Sequence, residues 1–213
     1  MRIVISGTVG VGKTTTAKNL TSRLQEYFDD VNFILETPEE NPYLSLYYKN
    51  RPEWSFLIQM DFLLSRYKKL IEEEEKQLLH PKRISIFDRH FLDDKVFANL
   101  QSVVNDMSSF QQAEYQKTNE HLSKKIEPER QPDFFILLKT DFNEVLERMG
   151  KRARKSELDV DKDYWRDLYY QYYENDNTIK YFKENTKKFI LLDINGLNEG
   201  EVVDKIITLM NIK

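Results

Sequence analysis

Apolar positions recur along this chain at two different spacings, and the alternation between them predicts its architecture. Five short stretches are dominated by large apolar residues: Ile3 to Ile5, Phe33 to Leu35, Ile84 to Phe87, Phe134 to Leu138 and Phe189 to Leu192. Runs this short and this apolar are expected of strands buried on both faces. Between them the period lengthens. Ala17, Leu20, Leu24 and Phe28 fall at helical spacing from Thr14 to Phe28. Trp54 to Leu70 carries Leu57, Met60, Leu63, Leu64, Tyr67 and Leu70 over one broad face. Strands alternating with helices imply an α/β fold, a five-stranded parallel sheet with helices on both faces. In such sheets ligands bind beyond the carboxyl ends of the strands. The segments to inspect for chemistry are therefore Gly7 to Thr14, Glu36, Asp88-Arg89, Lys139 to Asp141 and Asp193. No repeat and no separating linker interrupts the pattern, so residues 1–213 read as a single domain.

Composition narrows the class. At 213 residues, with 32% charged and 40% hydrophobic, the chain has the balance of a water-soluble globular protein. Such a chain should bury about 70% of its unfolded surface. A net charge of −4 gives no general attraction to nucleic acid or to an anionic membrane. The absence of cysteine excludes disulfides and thiolate metal sites. No apolar stretch is long enough to span a membrane, and Ile3 to Ile5 is too short for a signal peptide. A cytoplasmic protein is expected. The acidic run Glu72 to Glu75 reads as a solvated helix end without function.

The chemistry begins at "GTVGVGKTT". Gly7, Gly12, Lys13 and Thr14 occupy every fixed position of the G-x-x-x-x-G-K-[S/T] phosphate loop, with a strand before it and a helix after. Glycine lets backbone N–H groups turn inward onto phosphate oxygens, and the helix N-terminus adds partial positive charge. The nucleotide-binding residues are thus Gly7, Thr8, Val9, Gly10, Val11, Gly12, Lys13, Thr14 and Thr15. Lys13 is expected on the β- and γ-phosphates, and the Thr14 hydroxyl on Mg²⁺. A second segment, "DFNEVLERMGKRARKSE", opens with Asp141 and Glu144 in capping-box spacing. It runs into Arg148, Lys151, Arg152, Arg154 and Lys155. Beside a phosphate loop, these cations suit a lid at about residues 148–158 that closes over transferring phosphates. On the long helix, Gln59 and Arg66 share a face with Phe62 and Leu63 between them. That arrangement fits either a wet helix edge or a pocket for a flat heterocycle.

In combination these stretches resemble the deoxynucleoside kinases. "GTVGVGKTT", "LETPEENPYL", "YYKNRPEWSFLIQMDFLLSRYKKL", "IFDRHFLDD" and the lid "RMGKRARKSE" occur in the family's order and cover most of the chain. "EENPY" and "DR" look closest to the bacterial purine-preferring branch. The resemblance implies a P-loop kinase fold with an arginine-rich lid and a homodimer. It implies transfer of the γ-phosphate of ATP, with Mg²⁺, to the 5′-hydroxyl of a deoxynucleoside. Catalysis would rest on Lys13, on Glu36 as the base beside the 5′-hydroxyl, and on Arg89 near the 5′-oxygen and phosphates. Asp88 would join Thr14 at the metal. By the same resemblance Tyr48 and Glu157 hold the sugar 3′-hydroxyl, Gln59 the base edge, Arg148 the donor base, and Arg152 and Arg154 the phosphates. Arg66 and Asp94 would set base preference, with deoxyadenosine first and deoxyguanosine or deoxycytidine behind. The same two charges could equally form a structural pair with no bearing on choice.

Two positions depart from the family pattern. Ala153 stands between Arg152 and Arg154 where the lid commonly has glycine, and His90 follows Arg89 where serine or threonine is usual. Alanine should stiffen the turn without removing charge. His90 is expected to be a tolerated substitution that makes one hydrogen bond. A nucleoside monophosphate kinase of the thymidylate type shares the loop, the "DR" and a basic lid, but needs no base at Glu36. A nucleotide-dependent switch is the non-enzymatic alternative, and the N-K-x-D motif of guanine-specific switches is missing. The apolar faces of Trp54 to Leu70 and of "DYWRDLYYQYY" would serve either a dimer interface or packing within one chain.

Overall fold

Both faces of a single sheet are apolar, and each collects its own layer of helices. The structure, a computed structural model, describes residues 1–126, 131–153 and 160–212. The strands β1 (Arg2–Ser6), β2 (Val31–Ile34), β3 (Ile84–Asp88), β4 (Phe134–Lys139) and β5 (Phe189–Asp193) follow the apolar runs, except that β2 starts two residues earlier than Phe33 and leaves Leu35 outside it and exposed. All pairings are parallel, in the order β2-β3-β1-β4-β5.

Side chains alternate along a strand, so neighbouring residues feed different cores. Ile3, Ile5, Ile136 and Leu138 pack on one side with Leu20 and Leu24 of α1 (Lys13–Gln25) and Val202 and Ile206 of α9 (Glu199–Met210). Val4, Phe87, Phe135 and Leu137 pack on the other. There they meet α2 (Leu44–Lys49), α3 (Arg51–Leu79), α4 (Asp94–Val103), α5 (Ser109–Ser123), α6 (Phe142–Arg152), α7 (Lys162–Tyr173) and α8 (Asp176–Glu184). The chain visits β2 and β3 on one side of β1, then β4 and β5 on the other. That reversal leaves a crevice at the carboxyl ends of β1 and its neighbours.

Helix boundaries exceed the sequence expectation in one place. α3 runs for 29 residues, from a proline-containing first turn to Leu79, well beyond Trp54 to Leu70. Its acidic run is not a solvated end, because Glu73 and Glu74 are buried. Glu73 Oε1 accepts from Arg83 Nε at 2.5 Å and from Ser85 Oγ at 2.8 Å. Asn32 Nδ2 donates to Glu73 Oε2 at 3.3 Å. One carboxylate therefore fastens α3 to β2 and β3.

The capping box at Asp141 and Glu144 also fails to form. Asp141 holds the N-cap position, but its side chain accepts no capping bond. Asn195 Oδ1 instead takes the Asp141 N–H at 3.0 Å, and Glu144 pairs with Arg148 at 2.8 Å. The tyrosine-rich helix α7 spends its apolar face inside the chain, burying Tyr164, Trp165, Leu168, Tyr172 and Tyr173. α3 buries Ile58, Leu63 and Leu70 and leaves Leu57 and Leu64 exposed. No helix among the described residues is long and apolar enough to cross a membrane.

The buried carboxylate gives a direct test. Glu73→Ala should cost about 3 kcal/mol, because Arg83 and Ser85 lose their shared partner in a buried setting. Exposed Glu72→Ala should stay within about 0.5 kcal/mol. Urea unfolding measures both, and equal midpoints for the two variants would contradict the network.

Candidate active site

β1 ends at Ser6, and the chain turns at once into the glycine-rich loop. Gly7 has φ 138°, and a Cβ there would lie 2.7 Å from the Leu138 carbonyl oxygen. Only glycine lets the loop pass so close to β4. Gly10, at φ 83°, passes Met149 of α6 as tightly. The Tyr173 hydroxyl accepts the Thr8 N–H at 3.0 Å and donates to the Leu138 carbonyl at 2.6 Å. Lys13 Nζ folds back onto the Thr8 carbonyl at 2.8 Å. Burial and the neighbouring Arg89 push Lys13 down to about 7.

Gly10, Val11, Gly12, Thr14 and Thr15 open onto a cleft of about 540 Å³ that Arg148, Arg152 and Ile194 also line. Arg148 Nη1 donates to the Val11 carbonyl at 3.0 Å. Arg152 faces both this cleft and a second cavity on the other side of Lys13. Ala153 closes α6 in the left-handed region at φ 51°, where alanine is strained and glycine is not. Arg154 and Glu157 lie outside the described residues.

The second cavity holds about 90 Å³ and is walled by Val9, Lys13, Thr14, Glu36, Tyr48, Phe62, Arg66, Asp88, Arg89, Phe97 and Arg152. Glu36, just past β2, receives Arg66 Nε at 3.0 Å on one oxygen and Arg89 Nε at 2.9 Å on the other. Burial alone would raise its pKa, but the two guanidinium groups outweigh it and hold Glu36 at about 2. Arg89 follows β3 in the left-handed region at φ 70°. Its N–H extends the sheet to the Ile5 carbonyl at 3.0 Å, and its guanidinium lies 4.7 Å over the Phe97 ring.

Thr14 Oγ1 donates to Asp88 Oδ2, while Asp88 Oδ1 is buried without a partner. Burial raises the Asp88 pKa, and Lys13 opposes it. A hydroxyl beside a carboxylate with a spare buried oxygen fits Mg²⁺. That ion takes few protein ligands and draws the rest from phosphates and water. No group of three histidine, aspartate or glutamate side chains that could hold a metal ion occurs among the described residues.

On the far wall Arg66 bridges Glu36 and Asp94 and lies 4.6 Å over the Phe62 ring. Asp94 is fully buried, and its Oδ2 has no partner. Gln59 is also buried, with Oε1 unsatisfied. Neither is among the residues that wall this cavity, and Asp94 meets it through its pair with Arg66. A third cavity of about 240 Å³ shares Glu36, Phe62, Arg66, Asp88 and Arg89 and adds His90 and Lys69. His90 Nδ1 accepts the Leu92 N–H at 3.3 Å, the single bond expected of it. Burial drives its pKa to about 3, so the ring is neutral.

Four residues here escape sequence reasoning: Ser6, Asp93, Tyr172 and Tyr173. Asp93 stands beside Asp94 in "IFDRHFLDD", yet it faces the opposite way, toward β1. The two tyrosines read as part of an apolar helix face, and nothing in their spacing marks hydroxyl groups aimed at a site.

A parallel sheet with a phosphate loop at its switch point, next to paired carboxylates and arginines, defines a P-loop kinase. The deoxynucleoside kinase family model matches residues 3–212, and the chain belongs to that family and is an enzyme of that kind. It is 31% identical over 203 residues to the deoxyguanosine kinase of Bacillus subtilis (strain 168), covering 95% of this chain and 90% of that one. It is 30% identical over 208 residues to the deoxyadenosine/deoxycytidine kinase of the same organism, covering 96% and 89%. The deoxyadenosine kinase of M. mycoides with bound dATP superposes with TM-score 0.83 at 26% identity over 100% of both chains. The same protein with bound dCTP gives 0.82 over 99% of both.

If Lys13 holds the donor phosphates, nucleotide binding should depend on pH. A triphosphate beside the ammonium should raise its pKa from about 7 back toward the ordinary value, so binding takes up a proton above that pH. Affinity for a nucleoside triphosphate should fall as pH rises above about 7, by up to roughly tenfold per unit. Calorimetry at alkaline pH in two buffers of different ionisation enthalpy reads the proton directly. Identical enthalpies in both would contradict the shift.

Proposed function

We propose that the protein transfers the γ-phosphate of ATP to the 5′-hydroxyl of a deoxynucleoside, with deoxyadenosine as the preferred acceptor. The observation that carries this is one cavity walled by Lys13, Thr14 and Asp88 from the phosphate side and by Glu36, Tyr48 and Arg66 from the other. A monophosphate acceptor would bring its own negative charge against Glu36, which disfavours the thymidylate-type alternative. Deoxyadenosine is put first because the chain resembles the deoxyadenosine/deoxycytidine kinase of Bacillus subtilis and the deoxyadenosine kinase of M. mycoides, and carries the Arg66–Asp94 pair. Deoxyguanosine is the second reading, supported by the 31% identical relative.

The reaction forms a bond from the 5′-oxygen to the γ-phosphorus and breaks the bond to the β-phosphate oxygen. The leaving electron pair stays on ADP. Thr14 and Asp88 would hold Mg²⁺, which offsets phosphate charge when bound. Lys13 and the loop amides would grip the donor, while Arg89, Arg152 and Arg154 would offset charge on the transferring group. Tyr48 and Glu157 hold the sugar, and a ring packed under it leaves little room for a 2′-hydroxyl. Arg148 and the cleft near Ile194 take the donor base. Gln59, with Arg66 and Asp94, reads the acceptor base.

Glu36 has a pKa of about 2 while both arginines hold it, which makes it a weak base. Its first task is therefore to orient the hydroxyl as a hydrogen-bond acceptor. The proton follows late, as a loose transition state allows. The cavity of about 90 Å³ is below the roughly 300 Å³ of ordinary small-molecule sites. Acceptor entry has to part its walls, and the Glu36–Arg66 contact is the one that the 5′-hydroxyl would replace.

Purified protein with Mg-ATP should be incubated with each of the four deoxynucleosides, adenosine, thymidine monophosphate, or no acceptor, following ADP and 5′-monophosphate. Deoxyadenosine should give the highest kcat/KM. A higher value for deoxyguanosine installs the second reading, and turnover of thymidine monophosphate alone rejects both. Glu36→Gln should lower kcat by about a hundredfold or more while ATP still binds. Wild-type kcat in that variant would remove Glu36 from the chemistry.

A further inference from the structure

The side of Arg89 that faces away from Glu36 is held by a buried hydrogen-bonded chain that the reaction as described does not use. Arg89 Nη1 donates to the Tyr172 hydroxyl at 2.8 Å, and that hydroxyl donates to Asp93 Oδ1 at 2.9 Å. Asp93 Oδ1 also accepts Ser6 Oγ at 2.5 Å, and its Oδ2 accepts the His90 N–H at 2.9 Å. Tyr172 and Asp93 are both fully buried.

The direction of each proton follows from chemistry. A carboxylate only accepts, so the single proton of the phenol is committed to Asp93 and its lone pairs face Arg89. Glu36 takes Nε, Tyr172 takes Nη1, and Phe97 lies under the plane. The guanidinium is thus fixed on three sides, with no hydrogen bond from Nη2 among the described residues.

We propose that Tyr172, its hydroxyl aimed by Asp93 and Ser6, is a positioning residue that sets the Arg89 guanidinium in register with the transferring phosphoryl group. This rests on the reading of Arg89 given under the proposed function. The neighbouring Tyr173 makes an instructive contrast, because its hydroxyl serves the Thr8 N–H and the Leu138 carbonyl of the phosphate loop. Consecutive residues of one helix thereby brace the two halves of the site separately.

Steady-state kinetics on a double-mutant cycle tests the proposal. Tyr172→Phe keeps the ring contacts with Phe97 and Phe182 and removes only the hydroxyl. It should lower kcat by about ten- to a hundredfold, the scale of a misplaced catalytic group, and leave the ATP KM nearly unchanged. Tyr173→Phe should act mainly on the ATP KM. In an Arg89→Lys background the Tyr172→Phe loss should vanish, because the residue acts only through Arg89.

Equal losses in both backgrounds would mean that Tyr172 acts through the core, and the proposal would be overturned. Wild-type kcat in Tyr172→Phe overturns it as well. Wild-type kcat in Arg89→Lys instead removes Arg89 from the chemistry, a distinct result that takes this proposal with it. Asp93→Asn, which leaves the phenol in place but unaimed, repeats the cycle should Tyr172→Phe fail to fold. Unchanged kcat there counts against the proposal in the same way.

Discussion

A permanently charged guanidinium, only 6% exposed, sits where β3 ends, and much of the surrounding structure answers that charge. An uncompensated cation in such a place costs several kcal/mol. Arg89 is met by Glu36 from the end of β2, by Tyr172 from α7 with Asp93 behind it, and by Phe97 of α4. One charge therefore ties together segments distant in sequence. Its backbone sits in the left-handed region at φ 70°, a conformation that costs about 1–3 kcal/mol and persists only where the surroundings enforce it. The bond from its N–H to the Ile5 carbonyl is part of that enforcement. Under the proposed function, a donor held this firmly would need no reorganisation when charge develops in front of it.

The other contacts of the site are of a different kind, because a substrate would have to break them. Lys13 rests on the Thr8 carbonyl, Thr14 on Asp88, and Arg66 on Glu36. Each pair holds a group that phosphate, metal or hydroxyl would claim. Arg89, by contrast, would keep its partners, and its Nη2 makes no hydrogen bond among the described residues. The site thus combines a rigid element with exchangeable ones. The exchangeable contacts shield buried polar groups that would otherwise be unsatisfied.

The strands, the phosphate loop and the first helix were legible because their signals are local. An apolar run, a glycine spacing and a helical period each need only a few consecutive residues. What stayed hidden depends on partners far away along the chain. Glu73 reads as solvated within an acidic run, and Arg83, Ser85 and Asn32, brought beside it by the fold, make it internal. The polar Ser85 inside an otherwise apolar strand was the one available hint. Asp141 stood in capping-box spacing, but Asn195 at the end of β5 competes for the same N–H. Tyr172 and Tyr173 read as apolar because aromatic spacing reports the ring and says nothing of the hydroxyl. Asp93 and Asp94 are adjacent, yet one serves β1 and Arg89 while the other serves Arg66. Sequence proximity cannot separate those two roles; the direction of each side chain does.

Arg66 touches both Glu36 and Asp94, and under the proposed function this would join the two ends of the acceptor site. On the proposed function, a base whose edge matches Gln59 and Asp94 draws Arg66 toward itself and loosens its hold on Glu36. Glu36 would then gain both a free lone pair and basicity, since Arg66 is the strongest influence that keeps its pKa low. A base without the matching edge would leave Arg66 in place, with the carboxylate still occupied. Discrimination would then act on the chemical step and not only on binding, which is where an enzyme gains most from a correct fit. A structural ion pair and a specificity device need not be alternatives here, because the same guanidinium serves as both.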